Sequence, residues 1–259
     1  MAYKRKCFEG YEEVSVSIES RVISKDLQSS ARDKVKETLT DFRKLYAKLL
    51  QEHEGNKSYS ARNITQKTLE VAAKRFEKLH KCVNVSKRLG QVPGVEVGDQ
   101  FRFRAELYVI GLHRSMQSGI HYMQKDWKTY AISIVDSQRY DNVMDNSMDE
   151  LTYMGHGGNP AVKSVKPRDQ KLEGGNLALK NSMEAKTPVR VIRKTSNNLY
   201  TYLGLYLVIG MVQERGKYGK LVFKFSLKRT PQPTNIDSRN VIRQKRDVVS
   251  NIEALQVKK

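Results

Sequence analysis

The sequence predicts an α+β fold in which a helical hairpin precedes a β-rich domain. Two hydrophobic patterns support this prediction. Between residues 30 and 80, apolar side chains recur every three or four positions, as on one face of a helix. From about residue 94 to 230 they alternate with polar residues or form short β-rich runs, which is typical of strands. The predicted segments are an irregular N-terminus over 1–28, a two-helix segment over 29–92, the β-rich domain over 93–230 and a charged tail over 231–259.

Each of the two predicted helices carries one apolar face. The first face consists of Val35, Leu39, Phe42, Tyr46 and Leu49, and the second, between about residues 65 and 80, of Leu69, Ala72, Ala73, Phe76 and Leu79. The polar link "HEGNKSYSARN" between them predicts an antiparallel hairpin. Its expected role is a structural brace packed on the following domain.

The period of the pattern changes after "GQVPGVEVGDQ". Apolar residues alternate with polar ones at Phe101, Phe103, Ala105, Leu107 and Val109, which predicts a strand, and the alternation returns over 221–227. The runs "YAISIV", "PVRVIR" and "LYLVIG" predict further strands. The connection over 136–187 is long for a compact domain, and its glycines and apolar residues favour a functional loop.

The charge balance indicates a polyanionic partner. The chain has 47 Lys and Arg against 28 Asp and Glu, a formal net charge of +19 and a pI near 9.8. A cationic surface gains free energy by releasing the counterions that condense on phosphates, so nucleic acid is the first candidate and an anionic membrane surface the second. The mean hydropathy of −0.62 and the lack of an apolar run of about 18 residues predict no membrane insertion.

Signatures of catalysis and of metal binding are absent from the sequence. It contains no GxGxxG, GxxxxGK(S/T), HExxH or GxSxG motif, and its five histidines show no metal-ligand spacing. Cys7 and Cys82 lie far apart, outside any CxxC motif, which excludes a disulfide framework and fits a reducing compartment. We therefore expect no enzyme activity and no cofactor.

The acidic loop "YDNVMDNSMDELTYMGHGGN" has a tyrosine at each end of its acidic part, Tyr140 and Tyr153. One interpretation is a pocket in which the two rings hold a flat ligand, since stacking contributes about 1–3 kcal/mol per base. The other is that both are simply aromatic residues at strand ends. Spacing alone leaves both open, with the second ahead.

A second segment, "GLHRSMQSGIHY" over 111–122, combines basic, flexible and apolar residues. His113 and Arg114 offer phosphate contacts, while Met116 and Gln117 between two glycines can form a protruding tip that enters a groove of a nucleic acid helix. A plain hairpin loop is the alternative, and on this segment alone it is favoured.

Five segments, read in order, resemble the SRA domain, also called YDG, in the form found in plant SUVH histone-lysine methyltransferases. They are "PGVEVGDQFRFRAELYVIGLHRSMQSGI", "AISIVDSQRYDN", "DELTYMGHGGN", "DQKLEGGNLALKNSMEAKTPVRVIR" and "YTYLGLYLV…GKYGKLVFKFSLKR". The match spans roughly residues 93–229, and the stretch 30–90 resembles the two-helix segment that precedes the domain in those proteins. The resemblance implies a twisted sheet or partial barrel with flanking helices.

The resemblance further implies a nuclear chromatin protein that binds double-stranded DNA and flips 5-methylcytosine out of the duplex. The implied pocket has six residues. Tyr140 and Tyr153 clamp the base, and Asn142, with Asp141 beside it, reads the cytosine edge. Met154 and Gly155 lie near the methyl group and the sugar. Outside the pocket, the resemblance implies a thumb, a loop tip with Met116 and Gln117 that enters the duplex, where Gln117 fills the space left by the base. The implied contacts to the DNA backbone are His113, Arg114, Lys163, Lys166 and Arg168.

Four departures from the family pattern bear on this pocket. Asn142 replaces the usual Asp; because an amide can turn to offer either group, it predicts weaker discrimination between a cytosine and a thymine edge. Gln138-Arg139 replaces Gly-Gly, which distorts the pocket mouth if position 138 needs a positive φ. Leu203 replaces the Asp of the Tyr-Asp-Gly motif, with an expected effect on loop stability, and the acidic loop is one residue longer near Met148.

The implied function is a non-enzymatic reader of methylated DNA that acts through histone or chromatin-silencing proteins. The alternative is a degenerate SRA scaffold, or a general DNA-binding protein with weakened methylcytosine selectivity. No cysteine follows Cys82, so the cysteine-rich zinc cluster before the methyltransferase domain of the plant proteins is missing. We therefore expect no histone methylation by this polypeptide.

Overall fold

The computed structural model describes residues 29–52, 61–138, 140–157 and 166–231. Within these ranges the chain forms four helices and one mixed, open eight-stranded sheet, which confirms the predicted α+β fold. The predicted irregular N-terminus, nearly all of the charged tail, most of the link between the first two helices and the site residue Lys163 lie outside the described residues. No helix within the described ranges is both long and apolar enough to span a membrane.

The helices are α1 over 29–52, α2 (Ala61–Lys78), α3 (Arg104–Val109) and α4 (Gly174–Glu184). The strands are β1 (Gln100–Phe101), β2 (Ile120–Lys125), β3 (Lys128–Asp136), β4 (Val143–Met144), β5 (Glu150–Met154), β6 (Val189–Lys194), β7 (Tyr200–Arg215) and β8 (Leu221–Arg229). The predicted strands at "YAISIV", "PVRVIR", "LYLVIG" and 221–227 are thus confirmed.

The strand order determines where the chain's loops converge. The sheet runs β2-β3-β6-β7-β8-β5-β4, with β1 paired to β7. β3 and β6 pair in parallel, whereas the other pairs are antiparallel. Because the carboxyl ends of parallel strands meet at one edge of a sheet, Asp136 of β3 lies in register with Arg193 of β6.

The first two helices bury their predicted faces in a core that they share with α3. The buried residues are Val35, Phe42, Leu49, Leu69, Ala72, Ala73 and Phe76. The rings of Phe42 and Phe76 meet edge to face, with centroids 5.7 Å apart. Arg32 of α1 donates to Asp99 Oδ1 at 2.7 Å and thereby ties the helical segment to the chain before β1. Leu79 is exposed because it lies beyond the end of α2.

The predicted strand over 101–109 is wrong. Only Gln100–Phe101 is a strand, and the chain turns at the extended Phe103 into the short helix α3. The alternation misled because α3 is embedded in the core on most of its surface, and its polar Glu106 is buried too. Arg43 of α1 donates to Glu106 at 2.7 Å, so this buried carboxylate has a partner.

The replaced Asp of the Tyr-Asp-Gly motif has a structural consequence different from the expected one. Leu203 lies within β7, not in a loop, and packs in the sheet core with 6% of its surface exposed. The following Gly204 has φ of +106°, a conformation that favours glycine. Leucine at 203 therefore adds apolar burial to a strand, and the predicted effect on loop stability is wrong.

Candidate functional site

The candidate site lies at the edge of the sheet where β3 and β6 end side by side. The acidic loop leaves β3 there, forms β4 and returns as β5, which ends at Met154. Gly119, just before β2, reaches the same edge, since its carbonyl accepts a hydrogen bond from Val135 N at 2.7 Å. The segments around Gly119, Asp136, Met154 and Arg193 thus meet at this edge.

The two predicted tyrosines occupy different depths of the site. Tyr153 is 2% exposed and packs in the sheet core, and burial raises the pKa of its phenol far above the ordinary value, so the ring is neutral. Tyr140 is half-buried at the entrance. That the two tyrosines clamp one base stays a prediction, because the ring that faces Tyr140 is that of His156.

His156 is the ring that stacks on Tyr140. Their planes differ by 22° and their centroids are 6.3 Å apart, while His156 Nε2 lies 3.5 Å from the hydroxyl of Tyr153. Burial, and then the charge of Arg104, lower the pKa of His156 to about 4, so the imidazole is neutral at neutral pH. A base inserted between two rings needs centroids ~6.8 Å apart, twice the ~3.4 Å spacing of stacked bases. The centroid separation in the free protein is therefore shorter than a base stacked between the two rings requires.

The floor of the site depends on close approach at two glycines. A Cβ atom at Gly119 would lie 2.7 Å from both the Tyr153 hydroxyl and His156 Nε2. One at Gly155 would lie 2.6 Å from Gln170 Oε1 and 2.8 Å from Asn176 Oδ1. Both positions require glycine for lack of space, so Gly155 is a packing residue of the floor.

Gln170 and Asn176 hold the turn that carries His156. Asn176 accepts from His156 N at 2.8 Å and donates to its carbonyl at 3.0 Å, while Gln170 donates to the carbonyl of Gly155 at 2.7 Å. Both amides are buried, which makes the turn rigid. No sequence pattern points to Gln170, Asn176 or the ring of His156, since contacts 15 and 20 residues apart leave no local pattern.

Asn142 is fixed by hydrogen bonds on both sides of its amide. It donates from Nδ2 to Asp136 Oδ1 at 2.8 Å and accepts at Oδ1 from Met154 N at 2.8 Å. The expectation that this amide turns freely is therefore wrong. Met154 is 7% exposed, and the neighbouring Asp141 is exposed.

The departure at position 138 has the predicted backbone conformation. Gln138 has φ of +57°, in the left-handed region that costs a residue with a Cβ atom ~1–2 kcal/mol. Its N–H donates to Asp136 Oδ1 at 3.0 Å, which offsets part of this cost. Met148, at the predicted insertion, has φ of +60°, so the longer acidic loop also contains a strained residue.

Two predicted backbone contacts are corrected by the structure. His113 has no exposed surface; its Nδ1 lies 2.8 Å from Ser133 Oγ, and burial lowers its pKa well below the ordinary value. The Arg114 side chain is 14% exposed, pairs with Glu77 of α2 and lies 4.6 Å over the Tyr108 ring. Neither side chain is available to a phosphate, because each is largely buried and already has partners within the protein.

The tip that follows these two residues leans against α2. Met116 is half-buried against the apolar core, and Gln117 is exposed. Both line a cavity of about 310 Å³ together with Ala73 and Lys74 of α2. The helical segment therefore supports the predicted thumb from one side.

A larger cavity of about 650 Å³, which we call the α2 groove, borders the thumb. It lies between α2 and the ends of β3 and β6, and its lining is mixed. The apolar and aromatic part is Leu69, Phe103, Ala105, Met116 and Tyr200, and the polar part includes Arg102, Arg104, Lys194, Gln66, Ser137 and Gln117, with Glu70 as an acid. Arg102 was not predicted as a site residue, and Lys194 was predicted only as part of a basic surface over 161–194, because the two lie 92 positions apart and only the fold brings them together. Of the basic residues predicted beyond the acidic loop, Lys166 and Arg168 are exposed.

The chain matches a known domain family and is similar in sequence to curated plant proteins. The family model "SAD/SRA domain" matches residues 88–233. The chain is 41% identical over 245 residues to the H3 lysine-9 specific histone-lysine N-methyltransferase SUVH5 of Arabidopsis thaliana, covering 88% of this chain and 31% of that protein. It is also 41% identical over 225 residues to a YDG domain-containing protein of the same plant, covering 83% of this chain and 53% of that protein. The chain thus spans about a third of SUVH5 and half of the other relative.

Two groups of solved structures are similar to the chain. The SRA domain of SUVH5 in complex with fully methylated CG DNA is 54% identical, with a TM-score of 0.52, covering 56% of this chain and 96% of that one. KRYPTONITE in complex with mCHG DNA and SAH is 33% identical, with a TM-score of 0.66; the match covers 79% of this chain and 45% of that one. The second match extends beyond the domain matched by the first.

Proposed function

The chain belongs to the SAD/SRA domain family, and on that premise we propose that it binds double-stranded DNA containing 5-methylcytosine and holds the flipped base in the site around Tyr140. The observation that carries the proposal is the 54% identity to an SRA domain solved with methylated DNA. The net charge of +19 supports a polyanionic partner independently of that similarity.

In the proposed complex the extruded base enters beside Tyr140. Removing a base from the stack costs a few kcal/mol, and stacking on aromatic rings returns about 1–3 kcal/mol. The near-parallel rings of Tyr140 and His156 offer such faces, Tyr153 lies below them, and Asn142 stands where it can contact the base edge. The two rings have to move apart to admit a base between them, since their centroids lie 6.3 Å apart in the free protein.

The thumb in this proposal is Gln117, which enters the duplex where the base has left. It is exposed at a tip whose root is fixed by the Arg114–Glu77 pair and whose flank rests on α2. The α2 groove beside it offers Arg102 and Lys194 to the phosphates. These replace His113 and Arg114 as proposed backbone contacts, with Lys166 and Arg168 as further ones.

We assign the chain a reading role without catalysis. The methyltransferase relative is named for an activity on histones, but this chain covers only 31% of it. No cluster of metal-ligating side chains occurs among the described residues. The names of the relatives support a nuclear, chromatin-bound location and partners among histones or silencing proteins.

A second candidate is general DNA binding with reduced methylcytosine selectivity. It is favoured by one observation: Gln138, two residues before Tyr140, has a left-handed backbone and an exposed side chain where the family has glycine. The two candidates make different predictions for methylated and unmethylated duplexes, because general binding depends on phosphates alone.

The experiment that tests the proposal is a binding panel at one salt concentration. It compares hemimethylated CG, fully methylated CG, methylated non-CG and unmethylated duplexes of the same length. We expect about fourfold or tighter binding to one or more methylated duplexes than to the unmethylated one, because burying the extra methyl group contributes about 0.8 kcal/mol. Equal affinity for all four duplexes would contradict methylcytosine reading and leave general DNA binding.

A further inference from the structure

Asp136, which no sequence pattern singles out, is a fully buried carboxylate at the end of β3. Its Oδ1 accepts from Asn142 Nδ2 at 2.8 Å and from Gln138 N at 3.0 Å, and its Oδ2 lies 3.6 Å from Arg193 Nε. A buried charge is retained only where hydrogen bonds and an opposite charge compensate its lost hydration. Asp136 has two hydrogen bonds on Oδ1 and the Arg193 charge near Oδ2, which itself accepts no hydrogen bond; one of the two hydrogen bonds comes from Asn142.

The chemistry of the neighbours determines which way the Asn142 amide points. The N–H of Met154 can only donate, so it faces Oδ1, and the carboxylate of Asp136 can only accept, so it faces Nδ2. Turning the amide over would break both hydrogen bonds and set like groups against each other. The amide therefore presents one fixed carbonyl and one fixed NH₂ group.

We propose that Asp136 is a positioning residue that gives Asn142 its ability to tell methylcytosine from thymine. The inference rests on the proposed function. The two bases share a pyrimidine ring, a 5-methyl group and the O2 acceptor, but donor and acceptor are reversed at position 4 and at N3. An amide that turns freely can hydrogen-bond with the edge of either base. The amide fixed by Asp136 and Met154 has one orientation and is complementary to one base edge only, and we assign this edge to methylcytosine.

The same contact explains why residue 142 is an amide. A carboxylate at 142 would stand at hydrogen-bonding distance from the buried carboxylate of Asp136, and two such groups cannot both ionise without strong repulsion. Residues 136 and 142 therefore act as a pair that tolerates one carboxylate. This gives a test that requires no DNA.

The first test is a double-mutant cycle read by thermal melting at one pH. Asn142→Asp places two carboxylates together and is expected to lower Tm by about 4 °C or more. The double variant Asp136→Asn with Asn142→Asp again has a single carboxylate, and the amide at 136 now donates to the carboxylate at 142. It should recover at least half of the loss in Tm. Additive losses in the double variant would overturn the pairing.

The second test measures discrimination with two duplexes that differ only in methylcytosine or thymine at the flipped position. Using the same duplexes for every variant cancels their different opening costs. Asp136→Leu, which cannot accept a hydrogen bond, should lower the preference for methylcytosine over thymine by at least about fivefold. Asp136→Asn, which still accepts at Oδ1, should keep it within about twofold of the wild-type value.

An unchanged preference in folded Asp136→Leu would overturn the inference. If that variant does not fold, the thermal double-mutant cycle decides, since additive losses there would show that residues 136 and 142 are not coupled and would overturn the proposal. A wild-type chain that ignores cytosine methylation contradicts the proposed function. A wild-type chain that reads methylation but whose preference over thymine survives Asp136→Leu contradicts this inference alone.

Discussion

Gln138 shows at the scale of one residue how the site departs from an unstrained loop. Its φ of +57° places a side chain with a Cβ atom in the left-handed region, and its N–H is held by the buried carboxylate of Asp136. Backbone strain of this kind persists where surrounding contacts fix the conformation. The strain is located at the entrance through which a base would pass.

Replacing this residue by glycine should relieve the strain. We expect Gln138→Gly to stabilise the protein by about 1 kcal/mol, or a Tm increase of ~2–4 °C for a domain of this size. Thermal melting measures the shift. The matched control is Gln213→Gly on the exposed part of β7, where glycine should destabilise. A lower Tm for Gln138→Gly would contradict the strain.

Two buried histidines, His113 and His121, and the half-buried His156 make stability depend on pH. Burial lowers the pKa of His121 and His156 to about 4 and that of His113 well below its ordinary value of 6.5. The unfolded chain then binds more protons than the native one between pH 6.5 and about 4, so stability is full above pH 6.5 and falls as the pH decreases through this window. The maximal slope is about 1.4 kcal/mol per histidine and pH unit.

Thermal melts between pH 7.5 and 5.0 test this dependence. We expect Tm to be flat above pH 7 and to fall steadily below pH 6.5. His121→Asn is the informative variant, because its 7% exposed ring is farther from the Tyr140 loop than that of His156. It should flatten the profile, whereas a variant as steep as the wild type would show that His121 does not contribute.

At the scale of the element, α2 determines the position of the thumb. Glu77 of α2 pairs with Arg114 at the root of the tip and accepts from the Tyr108 hydroxyl at 2.9 Å. The helical segment is therefore more than the brace that the sequence predicted, because it fixes the loop that carries Gln117. Stabilising a loop before binding lowers the entropy lost on complex formation.

Neutralising Glu77 should loosen the thumb. We expect Glu77→Gln to weaken binding of methylated DNA about three- to tenfold, because Arg114 loses its charged partner and the tip loses its fixed root. Hydrogen exchange over residues 113–119 should rise in the free variant. The control is Glu37→Gln on the exposed face of α1, which should change neither quantity.

How far the sequence leads also depends on the element. The helical faces, the strands β3, β6, β7 and β8 and the family pattern follow from periodic burial and from motifs. The helix α3 does not, since it is embedded in the core and its alternating apolar residues imitate a strand. The Asp136–Asn142 bond and the Asn176–His156 bonds join residues 6 and 20 apart, and only the folded loop and α4 bring the members of each pair together.

For the whole molecule, the net charge of +19 and the position of the α2 groove predict a strong salt dependence of DNA binding. The groove places Arg102 and Lys194 beside the thumb, where the phosphates flanking the flipped nucleotide would pass. Each phosphate contact steepens the fall of log affinity with log salt by about 0.9.

Removing these two charges should change affinity but not base selectivity. We expect Arg102→Ser with Lys194→Ser to lower the salt slope by about 1.8 and to weaken binding of methylated and unmethylated duplexes alike. Titrations at four salt concentrations measure the slope. Lys217→Ser at the exposed turn between β7 and β8 is the control and should leave it unchanged. A wild-type slope in the double variant would place the phosphates elsewhere.

The measurement that tests the central claim most directly is the fluorescence of 2-aminopurine placed next to a methylcytosine in duplex DNA. If the protein extrudes the base, the neighbouring 2-aminopurine loses its stacking partner and its emission rises. We predict this rise with methylated DNA and wild-type protein, and its loss in Tyr140→Ala but not in Tyr218→Ala, an exposed tyrosine outside the site. An equal rise with unmethylated DNA, or an undiminished rise with Tyr140→Ala at saturating protein, would contradict a methylcytosine pocket at Tyr140.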